Sequence, residues 1–183
     1  RATAALRAPT EADPALAALA LWCRHRDGDN VTGAAETQGA KIRYGPAFEA
    51  LAPHEQLGLA GHHVLHVSLE HSARMAAMAL RLDDGFAPDL WRIARNTIVN
   101  EAILAAGHAL PRPALTLNTL LERLGEGRSG HAVLADWDCE RLYHRLARSA
   151  EAADRVRRAA LEQGVTLDLR PEGGADRGRG SDA

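Results

Sequence analysis

Four of the chain's nine histidines fall between His62 and His71, and their spacing is the first chemical signal in the sequence. His62 and His66 stand four residues apart, so on a helix both imidazoles share one face about one turn apart. Two imidazoles so placed can hold one metal ion, as in H-E-x-x-H zinc sites, where the glutamate takes a proton from metal-bound water. In this chain the glutamate position is occupied by His63, giving His62-His63-Val64-Leu65-His66. Alone, an i, i+4 histidine pair is more often structural than metal-binding, so its surroundings must decide.

The element that carries these residues reads as one long helix from about Pro53 to Leu82. Pro53 fits a first-turn position, and nothing between Val64 and Leu82 breaks the run. Gly58 and Gly61 lie inside it just before His62; glycine there costs helix stability and points to the close approach of another backbone. Asp83-Asp84-Gly85 is a turn, and a second helix is predicted from about Pro88 to Ala106. Ahead of the histidines, Lys41 to Tyr44 alternates polar and apolar and stops at Gly45-Pro46, the pattern of a short half-buried strand. As an edge strand it could take an extended peptide by strand addition; equally, it could be a plain packing strand.

Elsewhere, Pro14 to His25 reads as a buried helix, and Val31 to Gly39 as weakly patterned and polar. Leu115 to Leu124 is a shorter helical stretch and Gly125 to Gly130 a loop. Asp138 to Gln163 is a final charged helix with Leu142, Leu146 and Val156 facing inward. The predicted fold class is α+β, mostly helical, with a small sheet beside the histidine helix. One domain is expected over residues 1–169. Residues 170–183, rich in glycine, aspartate and arginine, are expected to form a disordered tail or linker stub.

Composition limits the rest. In 183 residues, 46% hydrophobic and 25% charged content suits one globular domain with its own core, while only 4% aromatics favours helices packed through alanine and leucine. A net charge of −2 gives no basic field for nucleic acid. Arg155, Arg157 and Arg158 read as a solvated helix face. Cys23 and Cys139 read as buried free thiols in a reducing compartment. With no membrane-length apolar run and no signal-type segment, a cytoplasmic location is expected. Trp22, Trp91, Trp137, Met75 and Met78 are assigned to packing, and His25, His54, His108, His131 and His144 to surface or capping roles. No nucleophile elbow surrounds Ser68 or Ser72, and no P-loop or Rossmann glycine pattern is present.

Two separate stretches carry a resemblance. Thr37-Gln-Gly-Ala-Lys-Ile-Arg-Tyr-Gly-Pro-Ala-Phe48, followed by Leu57-Gly-Leu-Ala-Gly-His-His-Val-Leu-His-Val-Ser-Leu-Glu-His71, resembles a bacterial family of predicted metal-dependent peptidases. In that family a short strand precedes a helix reading H-E-x-L-H-x-x-L-x-H, with an arginine soon after; Arg74 matches the arginine. Trp91-Arg-Ile-Ala-Arg-Asn-Thr-Ile-Val-Asn100 looks like the family's W-x-x-A-x-D-x-x-x-N helix. The resemblance covers roughly residues 37 to 106 and implies a zincin-like fold and a bound divalent metal. Zn2+ is the first expectation, although histidine and carboxylate ligands also suit iron, nickel or manganese. It also implies a following von Willebrand A-like domain and an AAA+ ATPase partner of the MoxR type. Two departures stand out: His63 replaces the glutamate, and Asn96 replaces the aspartate.

For a third ligand, His71 lies about 180° around a continuous helix from His62, so it shares a metal only if the helix breaks. Glu70 is too far along the axis. An antiparallel hairpin brings the second helix alongside, with Asn100 and Glu101 level with His66 and Asn96 level with His71. Glu101, which follows an asparagine as in the N-E pair of gluzincins, is the first choice of carboxylate ligand, against the alternative of a solvent-facing glutamate. His71, Asn96, Asn100 and Arg74 then stand around the ligands or on the substrate side. The leading functional reading is a zincin-like domain that has lost peptidase chemistry and binds metal, a peptide or a protein partner. The alternative is an active metal-dependent hydrolase with His63 as the base.

Overall fold

The computed structural model describes residues 1–126 and 132–162. Its architecture is α+β, with helices around one small sheet. The expected tail at 170–183 and His131 lie outside the described residues.

The chain opens with α1 (Ala2–Ala12) and α2 (Pro14–Ala20), the latter started by Asp13, whose carboxylate accepts from the Ala15 and Leu16 amides. Then come β1 (Arg24–Asp27), β2 (Ala35–Gln38) and β3 (Lys41–Tyr44). The expected strand at Lys41 to Tyr44 is present and central: the order is β1-β3-β2, with β1 parallel and β2 antiparallel to β3. The helix expected from Pro14 to His25 instead stops at Ala20, because His25 belongs to β1. Its ring is buried, bonding Tyr44 Oη at 2.9 Å and the Ala20 carbonyl at 3.1 Å rather than lying at the surface.

The expected long helix is two: α3 (Pro53–Ser68) and α4 (His71–Leu82). After a turn at Asp83–Gly85, α5 (Pro88–Ala105) runs close to its predicted span. The remainder is α6 (Leu117–Arg123), α7 (Val133–Asp136), α8 (Cys139–Ala147) and α9 (Ala150–Glu162), so the predicted final helix is also divided.

Two apolar clusters flank the histidines. One joins α1, α2, the sheet and the near side of α3 through Ala20, Ile42, Tyr44, Phe48, Ala60 and Val64. The other gathers α4, α5, α6, α8 and α9 around Trp91 and Tyr143. Trp91 is core as expected, whereas Trp22 is 82% exposed beside Leu21. Helix α3 lies between the clusters, so its polar face is enclosed by protein. Gly58 permits the close approach of α3 to the segment after α5: a Cβ there would lie 1.6 Å from the Ala109 carbonyl oxygen. Among the described residues, no helix is long and apolar enough to cross a membrane.

Candidate functional site

The break between α3 and α4 creates the centre. Ser68 bonds back to the Val64 carbonyl at 2.9 Å, a bond that loosens a helix end. Glu70 then takes a left-handed conformation, φ 52°, which is unfavourable for a residue with a Cβ. Tertiary contacts hold it there: Arg74 donates to the Leu69 carbonyl at 3.2 Å and forks onto Glu140 of α8, with one arm at 2.8 Å. The chain restarts with His71 pointing back at α3. The premise that kept His71 away from His66, an unbroken helix, is therefore corrected.

Three imidazoles and a thiol form one chain of contacts. His62 Nε2 lies 2.9 Å from His66 Nε2, and His66 Nδ1 lies 2.7 Å from His71 Nδ1. His71 Nε2 lies 3.2 Å from Cys139 Sγ, at the first position of α8. Five of the six ring nitrogens meet another nitrogen or sulfur, so every contact needs one proton between two atoms. Single-proton, neutral rings satisfy all three contacts in either direction. In both cases one atom is left over, His62 Nδ1, buried with no partner among the described residues. His62 is half-buried and His66 and His71 are buried, so the centre approaches solvent through His62.

The other predicted residues divide. His63 is buried, and its Nδ1 meets Thr37 Oγ1 of β2 at 2.7 Å, so it is packed against the sheet rather than lining an open cleft. Asn100 donates to the Leu115 carbonyl at 2.8 Å, and its side chain stands close enough to His62 to act on that ring's pKa. Asn96 lies one turn earlier on the same face of α5 and is buried. Position 100 thus meets position 62, not 66, because the helix break shortens the hairpin arm and shifts the register. Glu101 is neither solvent-facing nor turned to the histidines. Its two oxygens accept from the Asn118 side chain at 2.7 Å and backbone amide at 3.1 Å, holding the start of α6. Arg74 ties α4 to α8.

Two members of the centre were not singled out from sequence. Thr37 gave no signal beyond lying in the strand region. Arg95 did: it follows Trp91 by one helical turn, on a face that Ile98 continues, and a charge there must be buried. Its guanidinium is 0% exposed, and Nε, Nη1 and Nη2 have no partner among the described residues.

Burial is the first cause of every shift in this centre. It lowers the His62 pKa to about 4, opposed by the nearby Asn100 side chain and aided by Arg95. It lowers that of His71 to about 3, with Arg74, Arg95 and His62 adding to the effect. His63 and His66 lie well below the usual histidine range for the same reasons. Arg95 falls to about 9 and stays charged at neutral pH, while the Cys139 thiol is pushed up to about 12 and stays protonated.

These depressed values set the sign of a pH dependence. The unfolded rings bind protons below their ordinary pKa of 6.5, whereas the folded ring of His62 waits until about 4. The stability is therefore fully present above the unfolded value and is lost as pH falls through this window. Urea unfolding at pH 5 is expected to give a free energy at least about 2 kcal/mol below that at pH 7, the contribution of one such ring. Equal stability at the two values would mean that the rings titrate as in free histidine.

Among the described residues, no set of three or more His, Cys, Asp or Glu side chains is arranged to hold one metal ion. His62 and His66 do turn the same nitrogen, Nε2, toward each other, which is half of a zinc-type donor set. No curated protein and no solved structure matches the chain. One family does, over residues 1–182, and its description is "Putative metallopeptidase domain". A match of that length, joined to a paired-histidine helix beside a small sheet, establishes that the chain belongs to this metallopeptidase domain family.

Proposed function

We propose that this domain is a metallopeptidase-family member that has lost peptide hydrolysis and serves as a binding or assembly module. The observation that carries the reading is His63: the position that needs a carboxylate base holds a buried, neutral imidazole bonded to Thr37. A base must reach a water held at the paired histidines and take its proton, and a ring fixed on the sheet does not do so. Asn96, neutral where the family resemblance has aspartate, removes the second carboxylate.

The family implies a divalent metal, commonly zinc. When bound, such an ion supplies Lewis-acid chemistry to water or to a carbonyl. The chain's own residues fit two points of attachment, His62 and His66. His71 is an orienting partner, since it meets the far nitrogen of His66. Glu101, committed to Asn118, does not complete the set. Metal affinity is accordingly weak and rests on His62 and His66. The partner is a peptide or protein, with an AAA+ ATPase of the MoxR type suggested by the family resemblance and a cytoplasmic setting suggested by composition.

The test is a peptide-library digestion in the presence of zinc, with His62→Ala as the control and the zinc content of both proteins measured. No cleavage by either protein, with zinc retention falling at least about tenfold in the variant, is the expected result. Cleavage that vanishes in His62→Ala would overturn the proposal in favour of hydrolysis with a histidine base.

A further inference from the structure

Arg95 is fully buried, and among the described residues it has neither a hydrogen-bond partner nor an ion pair in the centre. Burial acts against its charge, Arg92 adds a charge of the same sign, and Cys139, kept protonated by burial, supplies no negative charge. Two carboxylates of the helices around it are engaged elsewhere: Glu140 takes the fork of Arg74, and Glu101 holds Asn118. The surrounding rings, His62, His63, His66 and His71, are neutral and contribute no negative charge. A buried, uncompensated guanidinium strongly destabilises a fold, and its three free N–H-bearing nitrogens add an unmet hydrogen-bond demand. The same centre leaves His62 Nδ1 unpartnered, on the half-buried ring through which it approaches solvent.

We propose that this centre is a carboxylate-binding site, in which the Arg95 guanidinium holds the two oxygens of a monoanionic ligand and the free nitrogen of His62 donates to one of them. The ligand class follows from charge and shape. One unpaired positive charge matches one negative charge, while a phosphate dianion would bring a surplus that Arg74, already paired, does not offset. The planar guanidinium fork matches a carboxylate in a two-bond arrangement. The carboxylate belongs either to a small acid or to the C-terminus of a peptide. This inference rests on reading the centre as a binding site, and it does not depend on a metal.

Thermal unfolding of the chelator-treated protein at neutral pH tests it, with sodium acetate compared against sodium chloride and sodium phosphate at equal ionic strength. Saturating acetate is expected to raise the melting temperature by roughly 5 °C over chloride. In chloride, Arg95→Met is expected to melt higher than the parent protein, because a buried charge is gone, and to lose the acetate response. Arg95→Lys, which keeps the charge without the fork, should respond to acetate with an affinity at least about tenfold weaker. A short peptide with a free C-terminus that stabilises where its amide does not assigns the carboxylate to a chain end; a response to acetate alone assigns it to a small acid. An absent acetate response, an equal response in Arg95→Met, or a larger response to phosphate would overturn the proposal. No turnover is read and no metal is present, so zinc-dependent cleavage in the library assay would refute the binding-module reading while leaving this result standing.

Discussion

Gly58→Ala is expected to destabilise the protein by about 3 kcal/mol or more, the upper part of the range for overpacking a closed interior. The added methyl would stand 1.6 Å from the Ala109 carbonyl oxygen and 2.8 Å from its carbon. Both are backbone atoms, so no side-chain rotation relieves the overlap; α3 or the segment around Ala109 must move. In an unconstrained helix the same change would stabilise by roughly 1 kcal/mol, because alanine is the better helix former. The two effects therefore have opposite signs, and urea unfolding separates them. Gly61→Ala is the internal control. A Cβ there meets the ends of the Ile103 and Leu16 side chains at 3.0 Å, and these can shift. Its loss should be much smaller, and similar behaviour at both positions would show that α3 does not approach the Ala109 segment so closely.

The double change His63→Glu, Asn96→Asp is expected to tighten zinc binding by about 10- to 100-fold, the scale by which carboxylates around a metal site tune affinity. It restores the two carboxylates that the family resemblance implies, beside imidazoles that are already neutral and already aligned at 2.9 Å. Position 63 is closed rather than open, so the new carboxylate must be accommodated. Thr37 Oγ1, 2.7 Å from the present ring, can donate to it, and the unpaired charge of Arg95 lies in the same centre. Arg95 also offsets part of the added negative charge, which holds the expected gain to the stated range. Zinc titration against a competing chelator measures the effect, and the melting temperature checks that the fold is intact. A double variant that folds and holds zinc no better than the parent would place Asn96 away from the metal position and show the centre to be past repair.

Much of the helical frame was legible in the sequence because its signals are local. Pro53 begins α3, Pro88 begins α5, and the alternation of Lys41 to Tyr44 marks the central strand; each reflects backbone geometry that a few neighbouring residues settle by themselves. The histidine spacing was equally local: four residues apart on a helix is one turn in any fold, so His62 and His66 were bound to meet. Gly58 announced a close approach but not its partner, which lies in the segment after α5. The course of the chain at Glu70 was not legible. No glycine, asparagine or proline marks positions 69 or 70, and the left-handed residue is held by Arg74 and Glu140, sixty-six residues apart in sequence. That break decides the centre, since it turns His71 onto His66 and moves Asn100 onto His62. Glu101 looked like a ligand because sequence records its type and spacing. Only the packed structure decided that Asn118 satisfies it and that Arg95 is left without a partner, because satisfaction of a buried charge depends on residues brought together from α3, α5, α6 and α8.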